Sequence, residues 1–281
     1  MTSDQRVLLD GGQLRTSVLA GSGLWSDLAV VAETGSTNED LAAAARAGAP
    51  EGRVLVAERQ TNGRGRLGRS WVSEPGAALT FSVLLRPAAV PPARRSWLPL
   101  LAGVAVAAGV RAQTGVEVAL KWPNDVLARA SAGSTGKLAG ILAEQVADAI
   151  VVGIGLNVTA VPSSAPGSPA LSASGLPPVS LAGAGAGPTD RGALLVAILR
   201  ELEYWYLRWA GGESPGDAAA CGLKAAYLRS CSTLGRDVRV ELPGGAGLLG
   251  RASDVDQAGR LLVTGPDGAE WVSAGDVIHV R

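Results

Sequence analysis

The stretch Gln60-Thr61-Asn62-Gly63-Arg64-Gly65-Arg66-Leu67-Gly68-Arg69-Ser70-Trp71 follows the apolar run Val54-Leu55-Val56-Ala57 directly. With Arg59, it gathers four arginines and three glycines into eleven residues. Glycines let the backbone turn through positive φ and bring N–H groups close to a ligand, while guanidinium forks match carboxylates and phosphates. The loop is therefore read as an anion clamp. Gly63, Gly65 and Gly68 also satisfy the dinucleotide fingerprint, but the context fails. That motif needs a helix opening at the third glycine and an acidic residue about 20 positions on. Here Gly68 runs into Arg69-Ser70-Trp71-Val72-Ser73-Glu74-Pro75-Gly76, and no Asp or Glu occurs between Pro75 and Val116.

Composition narrows the remaining readings. The chain has 281 residues, 47% of them hydrophobic, which is enough for one large domain and a small one. Its formal net charge is zero, so no global field draws it to nucleic acid or an anionic membrane, and an RGG-type segment is disfavoured. Cys221 and Cys231 form no CxxC pair and His279 is the single histidine, which argues against a disulfide frame, a thiolate or His-rich metal site and Ser-His-Asp chemistry. No signal peptide is read at the N-terminus, and the apolar stretch Trp97 to Val110 is too short to span a bilayer. A cytoplasmic protein with no membrane partner is expected. Among 25 basic residues only Lys121, Lys137 and Lys224 are lysine, so each is a candidate for a place that needs a compact ammonium.

Residues 1 to 28 read as a lead-in with at most one helix, too little for a DNA-binding domain, so no DNA partner is expected. Ala29-Val30-Val31 is a strand candidate. Ser36 and Thr37 each have an acid three positions on, Glu39 and Asp40, which predicts a capping box opening a helix over 38–47. Those hydroxyls and Asn38 either cap only or also meet a polar ligand group. Strands are predicted over 53–59, 78–86, 116–121, 137–144 and 149–158, and a buried helix over 97–113. Lys121-Trp122-Pro123-Asn124-Asp125 interrupts the sheet as a turn. Arg129 to Gly136 reads as a flexible loop. Gly136-Lys137 fails as a P-loop because Ser131 and Leu138 stand where glycine and Ser or Thr are required. Residues 160–189, without a charge and rich in Pro, Gly, Ser and Ala, read as a loosely ordered insertion. An amphipathic helix over 191–210, with Leu194, Leu195, Ile198, Leu202 and Trp205 as its core face, and a last helix over 217–229 follow. Beyond them the period changes to two, with strands at 237–242, 260–263 and 269–272 among turn signals, the pattern of a small β-barrel. The boundary is expected near Ser230, giving units 1–229 and 230–281.

Gly35-Ser36-Thr37-Asn38, Gln60 with Gly63 to Trp71, Lys121 to Asp125, Lys137 to Ile141 and Gly153 to Asn157 together resemble the biotin protein ligase family in order and spacing. The resemblance implies an α+β fold: a mixed-sheet catalytic domain similar to class II aminoacyl-tRNA synthetases, and a C-terminal SH3-like barrel. It implies that biotin and ATP, with Mg²⁺ carried on the nucleotide, give biotinyl-5'-AMP, and that a lysine of a biotin carboxyl carrier domain then takes the biotin.

By the same resemblance Ser36, Thr37, Asn38, Gln60 and Gly63 meet biotin, and Arg64, Gly65 and Arg66 hold its carboxylate and the phosphate. Lys137 bridges those two anions and is catalytic with Arg64 and Arg66. Arg66, Arg69, Trp71, Lys121 and Asn157 face ATP or the adenylate. Asp125 orients the incoming lysine or the Mg²⁺, or caps its turn. A monomer or weak homodimer that is a ligase but not a repressor is expected. Three alternatives stay open: a lipoate-type acyl ligase, a biotin sensor that does not transfer, and a nucleic-acid binder using the Arg-Gly loop.

Overall fold

A computed structural model describes residues 7–161, 176–242, 247–266, 268–273 and 275–280. Its centre is a seven-stranded sheet in the order β1-β2-β3-β7-β6-β5-β4. The strands are β1 (Asp27–Thr34), β2 (Arg53–Gln60), β3 (Ala78–Leu85), β4 (Val118–Lys121), β5 (Asp125–Arg129), β6 (Thr135–Val146) and β7 (Ala149–Asn157). Only β1 and β2 run parallel.

Side chains alternate across a sheet, so β3 divides cleanly. Leu79, Phe81, Val83 and Leu85 enter the large core, whereas Thr80, Ser82 and Leu84 face the other way. The large core lies under helices α1 (Gly11–Leu19), α3 (Leu98–Thr114), α4 (Arg191–Gly211) and α5 (Leu223–Ser230). α3 and α4 pack closely because Gly109 has no side chain: a Cβ there would come within 2.7 Å of Ile198. On the opposite face α2 (Thr37–Arg46) alone covers the strands, burying Leu41, Ala42 and Ala45 against Leu84 and Val151. Beyond the N-terminus of α2 no helix among the described residues covers that face.

A second, antiparallel sheet follows in the order β11-β10-β9-β8-β12, built from β8 (Asp237–Glu241), β9 (Gly247–Val255), β10 (Leu261–Gly265), β11 (Gly268–Val272) and β12 (Asp276–His279). The architecture is α+β. Hydrogen bonds tie this sheet to the first: Ser232 N–H donates to Leu120 O (2.7 Å), Trp122 N–H to Thr233 Oγ1 (3.0 Å), Trp122 Nε1 to Gly259 O (3.0 Å) and Trp97 Nε1 to Asp256 O (3.1 Å).

Several expectations need correction. The stretch 129–136 is not a flexible loop throughout, because β5 pairs Arg129 with Thr135 and leaves a tight turn between them. Of the insertion at 160–189, residues 162–175 lie outside the described residues. The part from 176 onward is fixed rather than loose: Pro178 bridges to Lys137, and Val179 and Leu181 are buried. The last helix starts at Leu223, residues 217–222 being turns. Trp209, not Trp205, is the fully buried indole of α4. Strands β5, β9 and β12 were not located in the sequence; the alternation of β9 is diluted by glycine and charge.

One buried ion pair holds the open end of the sheet. Glu58 on β2 and Arg191 at the start of α4 are each about 5% exposed and meet at 2.8 and 3.0 Å. Burial by itself raises the Glu58 pKa, but Arg191 and the N–H groups of Leu9 and Gly76 outweigh it and hold the carboxyl below its ordinary range. Replacing Arg191 with Met should therefore destabilise the protein by about 3–5 kcal/mol, since it strands a buried carboxylate. Urea unfolding at neutral pH measures this. At the junction of the sheets His279 is pushed down to about 4, first by burial and then by Lys121 and Arg236. The unfolded chain binds that proton more readily, so stability should fall as pH drops from 6.5 towards 4, and His279→Gln should flatten the fall in pH-dependent thermal melts.

Candidate active site

The open face is floored by glycine. Gly153 and Gly155 on β7 and Gly140 on β6 stand beside one another, Gly140 pairing with Gly155 and Thr80 and Ser82 of β3 lying opposite Gly155 and Gly153. A Cβ on Gly155 would overlap the Trp71 ring and one on Gly153 the Asn38 amide, while Gly140 sits 3.2 Å from the Lys137 Nζ and 3.6 Å from Trp71 by the same measure. The floor is thus flat because three other side chains lie on it. Trp71 roofs it, and its indole N–H is buried with no hydrogen-bond partner among the described residues.

One end of this slot is neutral and polar. Thr37 N–H donates to Gln60 Oε1 (2.8 Å), Thr37 Oγ1 lies 2.6 Å from Ser82 Oγ, Ser82 Oγ donates to Asn38 Oδ1 (2.6 Å) and Asn38 Nδ2 donates to Glu144 (2.6 Å). Ser36 is buried at the N-cap, but the capping box does not form. The Ser36 side chain makes no cap bond, Gln60 takes the Thr37 N–H instead, and Glu39 pairs with Arg64. Gly63 is required where it stands, since a Cβ would meet the Trp71 carbonyl and the Gln60 amide.

The other end is cationic. Lys137 Nζ lies 2.6 Å from Asp125 Oδ1, as a charge contact rather than an aligned hydrogen bond. Arg66 donates to Asn124 Oδ1 (3.0 Å) and to Gly275 O (3.3 Å), and burial lowers its pKa against the opposing pull of Asp276 and Asp125. Arg69 pairs with Asp276, and Lys121 Nζ donates to Val277 O. Burial, helped by Lys137 and Arg69, pulls Lys121 down to about 8 although Asp125 and Asp276 oppose it. Asn124 Nδ2 donates to Ile141 O (2.9 Å), which locks the turn that carries Asp125.

Of the residues singled out in the sequence, Thr37, Asn38, Gln60, Gly63, Arg66, Trp71, Asp125 and Lys137 line this slot or its rim. Arg64 is turned away to Glu39. Asn157 is buried and spends its amide on Val179 O (3.1 Å), seating residues 176–181 against the end of β7. Gly65 forms the flap hairpin, its N–H donating to Arg69 O (2.7 Å). Ser82, Glu144 and Asp276 were missed. The signal for Ser82 was present, because Thr80 and Ser82 are the polar members, at period two, of an otherwise apolar buried strand.

Residues 31–158 match the Biotin/lipoate A/B protein ligase family, and residues 233–280 match the Biotin protein ligase C terminal domain. Over 278 residues, 97% of this chain and 96% of the relative, the sequence is 43% identical to a biotin–[acetyl-CoA-carboxylase] ligase of Mycobacterium tuberculosis. The chain belongs to the biotin protein ligase family. A bifunctional ligase/repressor BirA of Bacillus subtilis is 30% identical over 270 residues, which cover 94% of this chain and 76% of that one. Among solved structures, the biotin protein ligase of Aquifex aeolicus in complex with biotin and ATP is similar with a TM-score of 0.72, at 27% identity over 92% of this chain and all of that one.

No helix among the described residues is long and apolar enough to cross a membrane, and no group of three or more His, Cys, Asp or Glu is placed there to hold a metal ion. The flap 61–71 is held down partly by Arg69 on Asp276. A hydrogen bond to a charged group is worth about 1.5–3 kcal/mol, so Asp276→Asn should speed trypsin cleavage at Arg64, Arg66 or Arg69 about tenfold. Limited proteolysis followed by mass spectrometry checks it.

Proposed function

We propose that this chain is an ATP-dependent biotin–[acetyl-CoA-carboxylase] ligase, which makes biotinyl-5'-AMP and transfers biotin to a lysine of a biotin carboxyl carrier domain. The observation that carries the reading is the polarity of the slot: neutral donors and acceptors at the Thr37–Gln60 end, and the Lys137 and Arg66 cations at the other. An elongated acid with a polar, uncharged head fits that order.

In the first step a carboxylate oxygen of biotin attacks the α-phosphorus of ATP, the bond to the β-phosphate breaks, and pyrophosphate leaves. Two anions must approach, so fixed positive charge and exclusion of water set the barrier. We assign Lys137 to the bridge between carboxylate and α-phosphate, released from Asp125 as the anions arrive. Arg64, on leaving Glu39, would join Gly65 and Arg66 in enclosing the same charge. Trp71 roofs the adenylate, and Arg69, Lys121 and Asn157 act on the nucleotide side, Asn157 by holding the 176–181 segment. Where Mg²⁺ accompanies the ATP phosphates, Asp125 would hold it, consistent with the habit of that ion of taking one or two carboxylates plus phosphates.

In the second step the neutral amine of the carrier lysine attacks the acyl carbon, AMP leaves, and the ammonium proton is lost to give the amide. Asp125, freed of Lys137, is placed to orient that amine. We place the protein in the cytoplasm, where ATP is supplied and Cys221 and Cys231 remain free thiols, as a monomer or weak homodimer.

A lipoate-type ligase would use the same cations but has no use for the hydrogen-bonded head site. Biotin-dependent exchange of labelled pyrophosphate into ATP tests the assignment, with lipoate giving no exchange. In that assay Lys137→Ala should lose about 100- to 1,000-fold in rate with its far-UV spectrum unchanged, the loss typical of one preorganised donor. Absence of biotin-dependent exchange in the unaltered chain overturns the reading.

A further inference from the structure

The network at the neutral end of the slot has a direction. Glu144, as a carboxylate, only accepts hydrogen bonds, so the Asn38 atom 2.6 Å from it must be the amide nitrogen, which also faces Leu142 O at 3.4 Å. The Asn38 carbonyl oxygen therefore faces Ser82. That oxygen carries no proton, so the 2.6 Å contact consumes the single proton of the Ser82 hydroxyl. Ser82 then has nothing left to give Thr37, and the 2.6 Å contact between their hydroxyls must use the Thr37 proton. The other oxygen near Thr37 Oγ1, Gln60 Oε1 at 3.0 Å, is already served by the Thr37 N–H at 2.8 Å. Whichever of the two oxygens takes the hydroxyl proton, it is spent inside the protein.

Thr37 thus turns only lone pairs towards a ligand. Gln60, whose oxygen is committed, has its Nε2 donor left, aimed at the side where Gly63 lacks a Cβ. We infer that Glu144 and Ser82 are positioning residues that set this polarity, making the head site one acceptor beside one donor, which selects acids whose head presents adjacent N–H and C=O groups. A urea edge has that pair of groups; a dithiolane ring has neither. The inference rests on the ligase reading and adds to it the two residues, outside contact with substrate, that choose the substrate class.

The test withdraws the Thr37 acceptor and then restores it. Glu144→Lys places a donor opposite Asn38, so the amide turns over, its nitrogen faces Ser82, and Ser82 donates to Thr37 Oγ1, taking up a lone pair the ligand would otherwise meet while the Thr37 proton goes to Gln60 Oε1. In biotin-dependent pyrophosphate exchange the KM for biotin should rise about tenfold or more, the effect of one mismatched buried hydrogen bond, while kcat and the KM for ATP stay within about threefold. Adding Asn38→Asp should bring the KM for biotin back towards the parent value, because the carboxylate it introduces accepts both from the new ammonium and from Ser82. A residue with only a structural part would give neither the KM-only change nor the rescue.

Should the lysine variant fail to fold by circular dichroism, Glu144→Met frees the amide to turn without forcing it, and a rise of about threefold or more in the same KM is expected. A KM for biotin within about twofold of parent in the folded Glu144 variant, or a double variant no better than Glu144→Lys, overturns the assignment of Glu144 and Ser82 alone. Loss of biotin-dependent exchange in the unaltered protein overturns the ligase reading and this inference with it.

Discussion

The Glu58 carboxylate, buried against Arg191, is the constraint on which the rest of the site depends. One of its oxygens accepts from Leu9 N–H (2.7 Å) and the other from Gly76 N–H (3.2 Å), while Arg191 also donates to Ala78 O (3.0 Å) and Val7 O (2.8 Å). Four separate pieces of chain meet at one charge pair: the lead-in, the end of β2, the approach to β3 and the start of α4. The arginine loop leaves the sheet just after Glu58 and returns at Gly76, so both of its ends are pinned to the same side chain. A loop with closed ends can lift and settle as a flap without changing the register of either strand. The pair is costly to bury, and its use lies in fixing geometry that apolar side chains would leave undirected.

Four guanidinium groups, Arg59 near the end of β2 and three on the loop that follows, repel one another, and each is met by an acceptor on a different element. Arg59 has Glu33 on β1 (2.8 Å), Arg64 has Glu39 on α2, Arg66 has Asn124 and Gly275, and Arg69 has Asp276 on β12. Three of these cations are paired with carboxylates around the rim, while Arg66 is held by an amide oxygen and a carbonyl. On the proposed function, phosphate and carboxylate ligands would compete with those partners rather than meet bare arginines, and closure of the flap would be an exchange of ion pairs. Such exchange is nearly balanced in energy and sensitive to which partner is better placed.

How much of this was legible in the sequence depends on whether the chemistry is local. Gly63, Gly65 and the arginines read as a clamp because the pattern lies in consecutive residues, and Lys137 stood out because lysine is rare in this chain. Most strands, though not β5, β9 or β12, and the helices α3 and α4 followed from apolar periodicity. Glu144 looked like the end of an ordinary strand, and nothing near it in sequence shows that α2 would lay Asn38 against it, more than 100 positions away. The capping box was a local pattern overridden by a tertiary partner, since Glu39, the acid it needs, pairs with Arg64. Arg191 read as a helix start because its carboxylate lies 133 residues earlier. The fixed course of residues 176–181 came from hydrogen bonds to Lys137 and Asn157 that composition does not reveal.

The C-terminal sheet completes the cationic end rather than merely following it. Two backbone carbonyls and one carboxylate of a single edge strand region, Gly275, Val277 and Asp276, receive Arg66, Lys121 and Arg69. A carbonyl dipole holds a cation without neutralising it, so Lys121 keeps its place while burial and its cationic neighbours draw its pKa to about 8. An ammonium so poised favours an incoming anion more than a solvated one would, because the anion relieves a desolvation that folding has already imposed. The strand that carries these acceptors pairs only with β8 in its own sheet, leaving its approach to the flap set by the Trp122 and Thr233 contacts at the junction. The position of the second sheet therefore sets the electrostatics of a site whose floor lies wholly in the first.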